Sequence, residues 1–200
     1  SVFIPPGDVL LAIGNALFPA LISAPEGASD IVLNFRMPRI LLAVLTGVAL
    51  AAAGAVMQGL LRNPLVSPFT LGLSSAASFG AALMIVLGPA VFGAFFAGSV
   101  VFFGFEFTTK SLLLILSAFL FGWLSVIIVY MISRVRQTSQ AVMVLAGVVI
   151  GYLFQAGLLA LKYVSNDDAL REIVTWMMGG MWGATWQTVY ILTPVVLLCF

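Results

Sequence analysis

Apolar positions are so dense along this chain that the polar ones act as punctuation. From Asn63 to Phe105, forty-three consecutive residues carry no charged side chain. A hydrocarbon core takes roughly 20 apolar residues per helical crossing, so the pattern predicts membrane-spanning helices. The first runs over Pro38–Leu61, bracketed by Arg36 and Arg62. Pro38 is expected in its first turn, where proline is tolerated. Asn63-Pro64 ends it, because the residue before a proline avoids the helical region. Residues 63–68 (Asn-Pro-Leu-Val-Ser-Pro) read as a tight turn. Further spans are predicted over 69–87, stopped by Gly88-Pro89; over 111–133, followed by Arg134-Val-Arg136; and over 140–161, ended by Lys162. A last span begins near Gln187 and is truncated at 200, since fourteen residues are too few to complete a crossing.

The segments between these runs have their own signatures. Leu10–Ile22 is apolar but short, and Pro5-Pro6-Gly7 and Pro25-Glu26-Gly27 bound it, so it reads as an interfacial helix. Residues 90–110 are apolar, rich in Gly and Phe, and end in Glu106 and Lys110. They read as an interfacial or re-entrant stretch, with a full crossing as the alternative. Residues 165–172 read as a short surface helix, with Ser165, Asn166 or Asp167 available to accept its orphan N–H groups. Ser1 opens the chain without signal-peptide order, and Phe200 falls inside an apolar run. The expectation is therefore a piece of a longer chain: a single, partial, all-α polytopic domain over 1–200.

Composition sharpens this picture by exclusion. Hydrophobic residues make up 62% and charged residues 8%, against about 25% charged in soluble domains. The net charge of +1 argues against nucleic acid as a partner. There is no histidine, which removes His-Glu-x-x-His zinc sites and serine–histidine dyads. The predicted spans hold no Asp or Glu, which disfavours an ion-coupled carrier with a buried carboxylate relay. No phosphate-binding loop of the Gly-x-x-x-x-Gly-Lys-Ser/Thr type occurs, so any ATP is expected on another chain. Cys199 is the single cysteine, so an internal disulfide is ruled out.

Charge and topology conflict. The turns at 62–68 and 134–139 share one side and hold Arg62, Arg134 and Arg136 without an acid. The other side holds Arg36, Arg39, Lys110, Lys162 and Arg171 and all seven acids. A Lys/Arg count makes the second side cytoplasmic; net charge points the other way.

Few polar or small residues within the spans stand out. Gly47, Ala51, Ala55 and Gly59 recur every four positions and share one helical face, a pattern that lets membrane helices approach closely. Gly147 and Gly151 repeat it. Gln58 and Gln155 each either bond a neighbouring helix or border a pathway. Arg36 and Arg39 either snorkel as anchors or offer an arginine to a carboxylate on a docking protein. Trp176, Trp182 and Trp186, around Gly179-Gly180, fit an interfacial aromatic belt or the entrance for a bulky ligand.

The string Arg36-Met-Pro-Arg39, Gly47, Gly54-Ala-Val-Met-Gln58-Gly-Leu-Leu-Arg62-Asn63-Pro64-Leu65-Val-Ser-Pro68, Leu71-Gly72, Gly80-Ala81, followed by Trp176-Met-Met-Gly179-Gly180 and Trp186, resembles the FecCD family. These are membrane subunits of ATP-binding-cassette importers for iron–siderophores, haem and cobalamin. The resemblance implies a ten-helix permease that pairs as a homodimer, takes its ATPase as a separate subunit below, and receives substrate from an external binding protein. It implies that a first helix precedes Ser1 and that four more helices follow Phe200. It makes Arg36 external, matching an arginine that meets a glutamate of the binding protein, and makes Asn63, Pro64 and Leu65 a cytoplasmic turn. It places 140–161 along the translocation path, with Met143, Gly147, Gly151 and Gln155 as pathway candidates. It implies no cofactor, metal site or catalytic residue. The extra apolar residues at 89–110 depart from the cobalamin permease pattern.

Overall fold

In a computed structural model, residues 3–18, 21, 27–102, 105–135, 140–181 and 183–199 are described. Among the described residues, four helical stretches are long and apolar enough to cross a membrane: Ala28–Leu61, Leu73–Ala97, Thr109–Arg134 and Ala141–Val164. The chain separates into two compact units, residues 1–52 with 180–200, and residues 53–179.

In the first unit, α1 (Pro6–Leu17) begins with proline in its first turn. Ile4 and Ala12 bury themselves with Val32. A short α2 (Ala28–Asp30) runs without a break into a π-helical turn, Ile31–Arg36, and then into α3 (Met37–Leu61). Pro38 therefore lies inside a continuous helix and not in its first turn, as the sequence suggested. The widened π turn explains this. Proline clashes with the carbonyl four residues back, and an i→i+5 pattern opens that spot; the Met37 N–H reaches past Leu33 to Val32 O. A second element, α8 (Trp186–Leu198), is capped by Thr185, whose hydroxyl accepts from the Thr188 N–H.

The second unit carries the packing. After α3 come a 3-10 turn (Pro68–Leu71), α4 (Leu73–Phe92), α5 (Thr109–Val135), α6 (Gln140–Val164) and α7 (Asp167–Met178). The α4, α5 and α6 helices pack on one another. One core cluster joins Ala81, Ala82 and Ile85 of α4 to Leu114 and Ala118 of α5, Leu158 of α6 and Ile173 of α7. A second joins Leu71 and Ala76 to Val129, Ala146, Ile150 and Phe154. Phe79, Phe121 and Phe154 meet edge-on or tilted at 5.3–6.2 Å between ring centres. The Ser117 hydroxyl donates to Gly80 O at 2.7 Å where α5 crosses α4.

Gly88-Pro89 does not end α4, which continues to Phe92. A proline so near a helix end removes only one late hydrogen bond. Gly88 also lies directly under the Phe96 ring, where a Cβ would collide, so the following 3-10 turn (Gly93–Ala97) folds back over it. Residues 90–110 thus become a helix end, a 3-10 turn and an antiparallel hairpin, β1 (Ser99–Phe102) and β2 (Phe105–Thr108). Ser99 donates to Glu106 at 2.7 Å on the hairpin's exposed face. Lys110, at the start of α5, pairs with Glu172 of α7 at 2.7 Å; both are more than a third exposed, so the pair contributes about 1 kcal/mol or less. Asn166 caps α7 by accepting from the Ala169 N–H at 2.9 Å.

The α4–α5 contact makes a direct prediction. A Cβ at Gly80 would sit 2.7 Å from Ser117 O and 2.9 Å from the Phe121 side chain. Gly80→Val should destabilise the fold by about 1–3 kcal/mol through overpacking, visible as a lower melting temperature in detergent, whereas Gly54→Ala, with open space around it, should not.

Candidate functional site

The site starts at the end of α3. Arg62 takes a left-handed conformation (φ 44°), and the Asn63 N–H reaches back to Gln58 O at 3.2 Å. Pro64 forbids further helix. The Asn63 Oδ1 then accepts from the Leu65 N–H at 3.0 Å, and the Gln58 amide donates to Pro64 O at 3.0 Å. The Gln58 amide thus closes its own turn. Val66 is buried, while Leu65 points outward at 85% exposure. Ser67 and Thr70 form a reciprocal cap over the 3-10 turn, and the Ser125 hydroxyl of α5 donates to Leu71 O at 2.9 Å. The turn is rigid because each of these carbonyls has a donor.

This rigid turn delivers Gly72 (φ 72°) against α6. A Cβ on Gly72 would lie 2.8 Å from Gly151 N and 3.0 Å from Gly147 O. A Cβ on Gly147 would run into Thr70 O and lie 2.8 Å from Leu71 Cα. The backbones touch here because no side chain separates them, as at small-residue membrane crossings. Beside the crossing opens a cleft of about 420 Å³, with Thr70, Ser75, Gly147, Gly151, Tyr152 and Gln155 on its walls. Hydroxyl and amide groups line it, and none of its lining side chains is charged. Among the described residues no cluster of His, Cys, Asp or Glu could hold a metal. The cleft can offer neutral hydrogen bonds to a passing solute but holds no nucleophile–base pair.

Of the four pathway candidates, Gly147, Gly151 and Gln155 come together on this cleft. Met143, one turn earlier, lines a separate apolar pocket of about 300 Å³ with Met57, Leu71 and Tyr130. Thr70, Ser75 and Tyr152 were not singled out from sequence. For Tyr152 the signal was present, since 148, 151, 152 and 155 share one helical face. For Thr70 and Ser75 it was not, because they reach the cleft only through the turn. Gly47, Ala51, Ala55 and Gly59 are all exposed, and a Cβ at Gly47 or Gly59 would meet nothing within 4 Å. Of the two small-residue ridges read from the sequence, the one on α6 is packed.

Arg36 closes the π-helical turn in the other unit. Arg39 donates from Nε to Met181 O at 3.1 Å. Trp186 donates from its indole to Leu33 O at 2.9 Å and stacks on Tyr190, so it is a strut within its unit. Trp176 sits on α7, and Trp182 lies outside the described residues.

The model of the FecCD transport family matches residues 1–200. The hemin transport system permease protein HmuU of Yersinia pestis is 34% identical over 202 residues, covering 94% of this chain and 55% of that one. The vitamin B12 import system permease protein BtuC of Klebsiella pneumoniae is 31% identical, covering 99% and 50%. Among solved structures, one assigned to the metal-chelate type of ABC transporter, in an inward-facing conformation, superposes with a TM-score of 0.70 at 27% identity, covering 96% of this chain and 58% of that one. The chain thus spans about half the length of the curated relatives it matches.

The glycine crossing predicts that Gly147→Val forces α6 away from the turn. Melting in detergent should fall by the equivalent of about 1–3 kcal/mol, and the cleft should widen, measurable as faster maleimide labelling of Ser75→Cys. Val148→Ala on the cleft rim should change neither.

Proposed function

This chain belongs to the FecCD transport family, and we propose that it forms part of the permease subunit of an ATP-binding-cassette importer, an integral membrane protein. The family match over the whole chain carries this reading, and the cleft beside the Gly72–Gly147–Gly151 crossing gives it a physical basis. Close backbone contact at small residues is how membrane helices pack without large interlocking side chains. A wall that mixes hydroxyl and amide groups with Phe69 and Val148, and carries no fixed charge, suits a large chelate that must bind weakly enough to leave. Relatives named for hemin and vitamin B12 support a metal chelate, such as an iron–siderophore, haem or cobalamin, as cargo. Substrate choice then rests with an external binding protein.

In this reading ATP hydrolysis takes place on a separate ATPase, two copies of the permease flank the path, and the two units act as one permease domain. Arg36 faces outward and meets a carboxylate of the binding protein. The Asn63–Leu65 turn is cytoplasmic, as the family resemblance implies and against the Lys/Arg count. The exposed ridge of Gly47, Ala51, Ala55 and Gly59 is a packing surface for a helix outside this chain. A soluble partner that docks through a charge pair loses on-rate and specificity when one charge is reversed.

In proteoliposomes holding the intact importer, Arg36→Glu should raise the binding-protein concentration needed for half-maximal ATPase stimulation by about tenfold, roughly 1.4 kcal/mol. Uptake should stop when the ATPase is removed, and Asn63→Cys in sealed cells should react only with membrane-permeant maleimides. Uptake that persists on an ion gradient without the ATPase would replace this reading with an ion-coupled secondary transporter.

A further inference from the structure

Trp186 and the proline joint of α3 form one device. Within the π-helical turn the Met37 N–H is given to Val32 O. The Leu33 carbonyl thereby loses its α-helical donor. Its donor in the π pattern would be residue 38, which is Pro38 and has no N–H. A carbonyl left open in an apolar setting is costly. The structure supplies the missing donor from far away in sequence: the Trp186 indole N–H lies 2.9 Å from Leu33 O, 153 residues along the chain.

The same turn makes a second bond on the other side of the proline. Arg39 Nε donates to Met181 O at 3.1 Å. Met181 and Trp186 therefore splint the joint, Trp186 before Pro38 through Leu33 and Met181 after it through Arg39. Trp186 is itself held in place. Thr185 caps α8, which starts at Trp186, and the indole stacks on Tyr190 at 5.8 Å with 26° between the planes. Pro38 and Val32 on either side are buried, and the bond itself is part-buried. An interfacial-belt tryptophan would direct its N–H to water or headgroups; this one is bonded to the main chain.

We propose that Trp186 is a positioning residue: its indole N–H stands in for the amide that Pro38 lacks and holds the π-helical turn, with Arg36 at its end, at one pitch relative to the rest of α3. The consequence for docking rests on the permease reading above; the consequence for helix geometry does not. Trp186→Phe keeps an aromatic ring and removes the donor. Pro38→Ala restores a backbone N–H at the joint, so it should make the indole dispensable. The two substitutions should be non-additive, with Pro38→Ala suppressing the effect of Trp186→Phe.

The experiment uses the intact importer in proteoliposomes. Spin labels at Phe35→Cys and Val48→Cys, in a background free of other cysteines, sit about 20 Å apart along the helix. Trp186→Phe should broaden their distance distribution at least twofold, and Trp186→Phe with Pro38→Ala should narrow it again. In unlabelled protein, Trp186→Phe should raise the half-saturating concentration of binding protein roughly fivefold, the worth of one hydrogen bond, with maximal ATPase rate unchanged; the double variant should recover. A distribution as narrow in Trp186→Phe as in the parent, or as broad in the double variant as in the single, overturns the proposal. Correct distances without any response to binding protein leave the splint standing and overturn the permease reading instead. Should Trp186→Phe fail to assemble, benzothienylalanine at 186, with sulfur replacing the N–H at nearly equal volume, reads the same bond.

Discussion

A main-chain carbonyl that leaves the helical ladder of a membrane protein needs a new donor wherever water is scarce, and several bends of this chain answer to that constraint. At three of the breaks in helix among the described residues, a carbonyl freed from the ladder is met by a side chain. Pro38 opens Leu33 O, and Trp186 closes it. The Asn63-Pro64 turn leaves Pro64 O, and Gln58 closes it. The step from the 3-10 turn to α4 leaves Leu71 O, and Ser125 closes it. Few polar side chains occur in these helices, and several of them are committed in this way. Each bond adds about 1 kcal/mol net, and losing the donor costs more where the acceptor is buried, as at Leu71 O.

Glycine supplies the complementary half of the design. Between lipid-facing helices there is no hydrophobic gain in association, so cohesion depends on close backbone approach. Gly72, Gly147 and Gly151 allow that approach at one crossing, and Gly80 with Ser117 allows it at another. The cleft lies beside the first crossing, where the capped 3-10 turn meets α6.

Several elements were legible before folding, and others were not. The long apolar runs, the Asn63-Pro64 break and the Asn166 cap were readable because each depends on local rules of length, proline and orphan amides. The start of the first long helix and the end of α4 were misread at prolines, since a π turn or an overlying Phe96 accommodates the ring and neither is visible in local sequence. Gln58 and Trp186 carried open readings because their partners, Pro64 O and Leu33 O, exist only once the backbone has bent. The ridge at Gly47, Ala51, Ala55 and Gly59 has the right spacing for packing, yet it is exposed in this chain; the equivalent spacing at Gly147 and Gly151 is buried against a turn.

By itself the amino-acid order determined that this protein lives in lipid, how many long apolar helices it presents, and the family to which it belongs. Those follow from the free energy of placing charge in hydrocarbon and from a string of residues whose spacing is specific. Tertiary structure alone decided which glycines touch, which face of α6 opens on the cleft, and which indole bridges the proline joint. Such choices turn on pairs of groups far apart in sequence, whose meeting depends on helix directions set by every other contact.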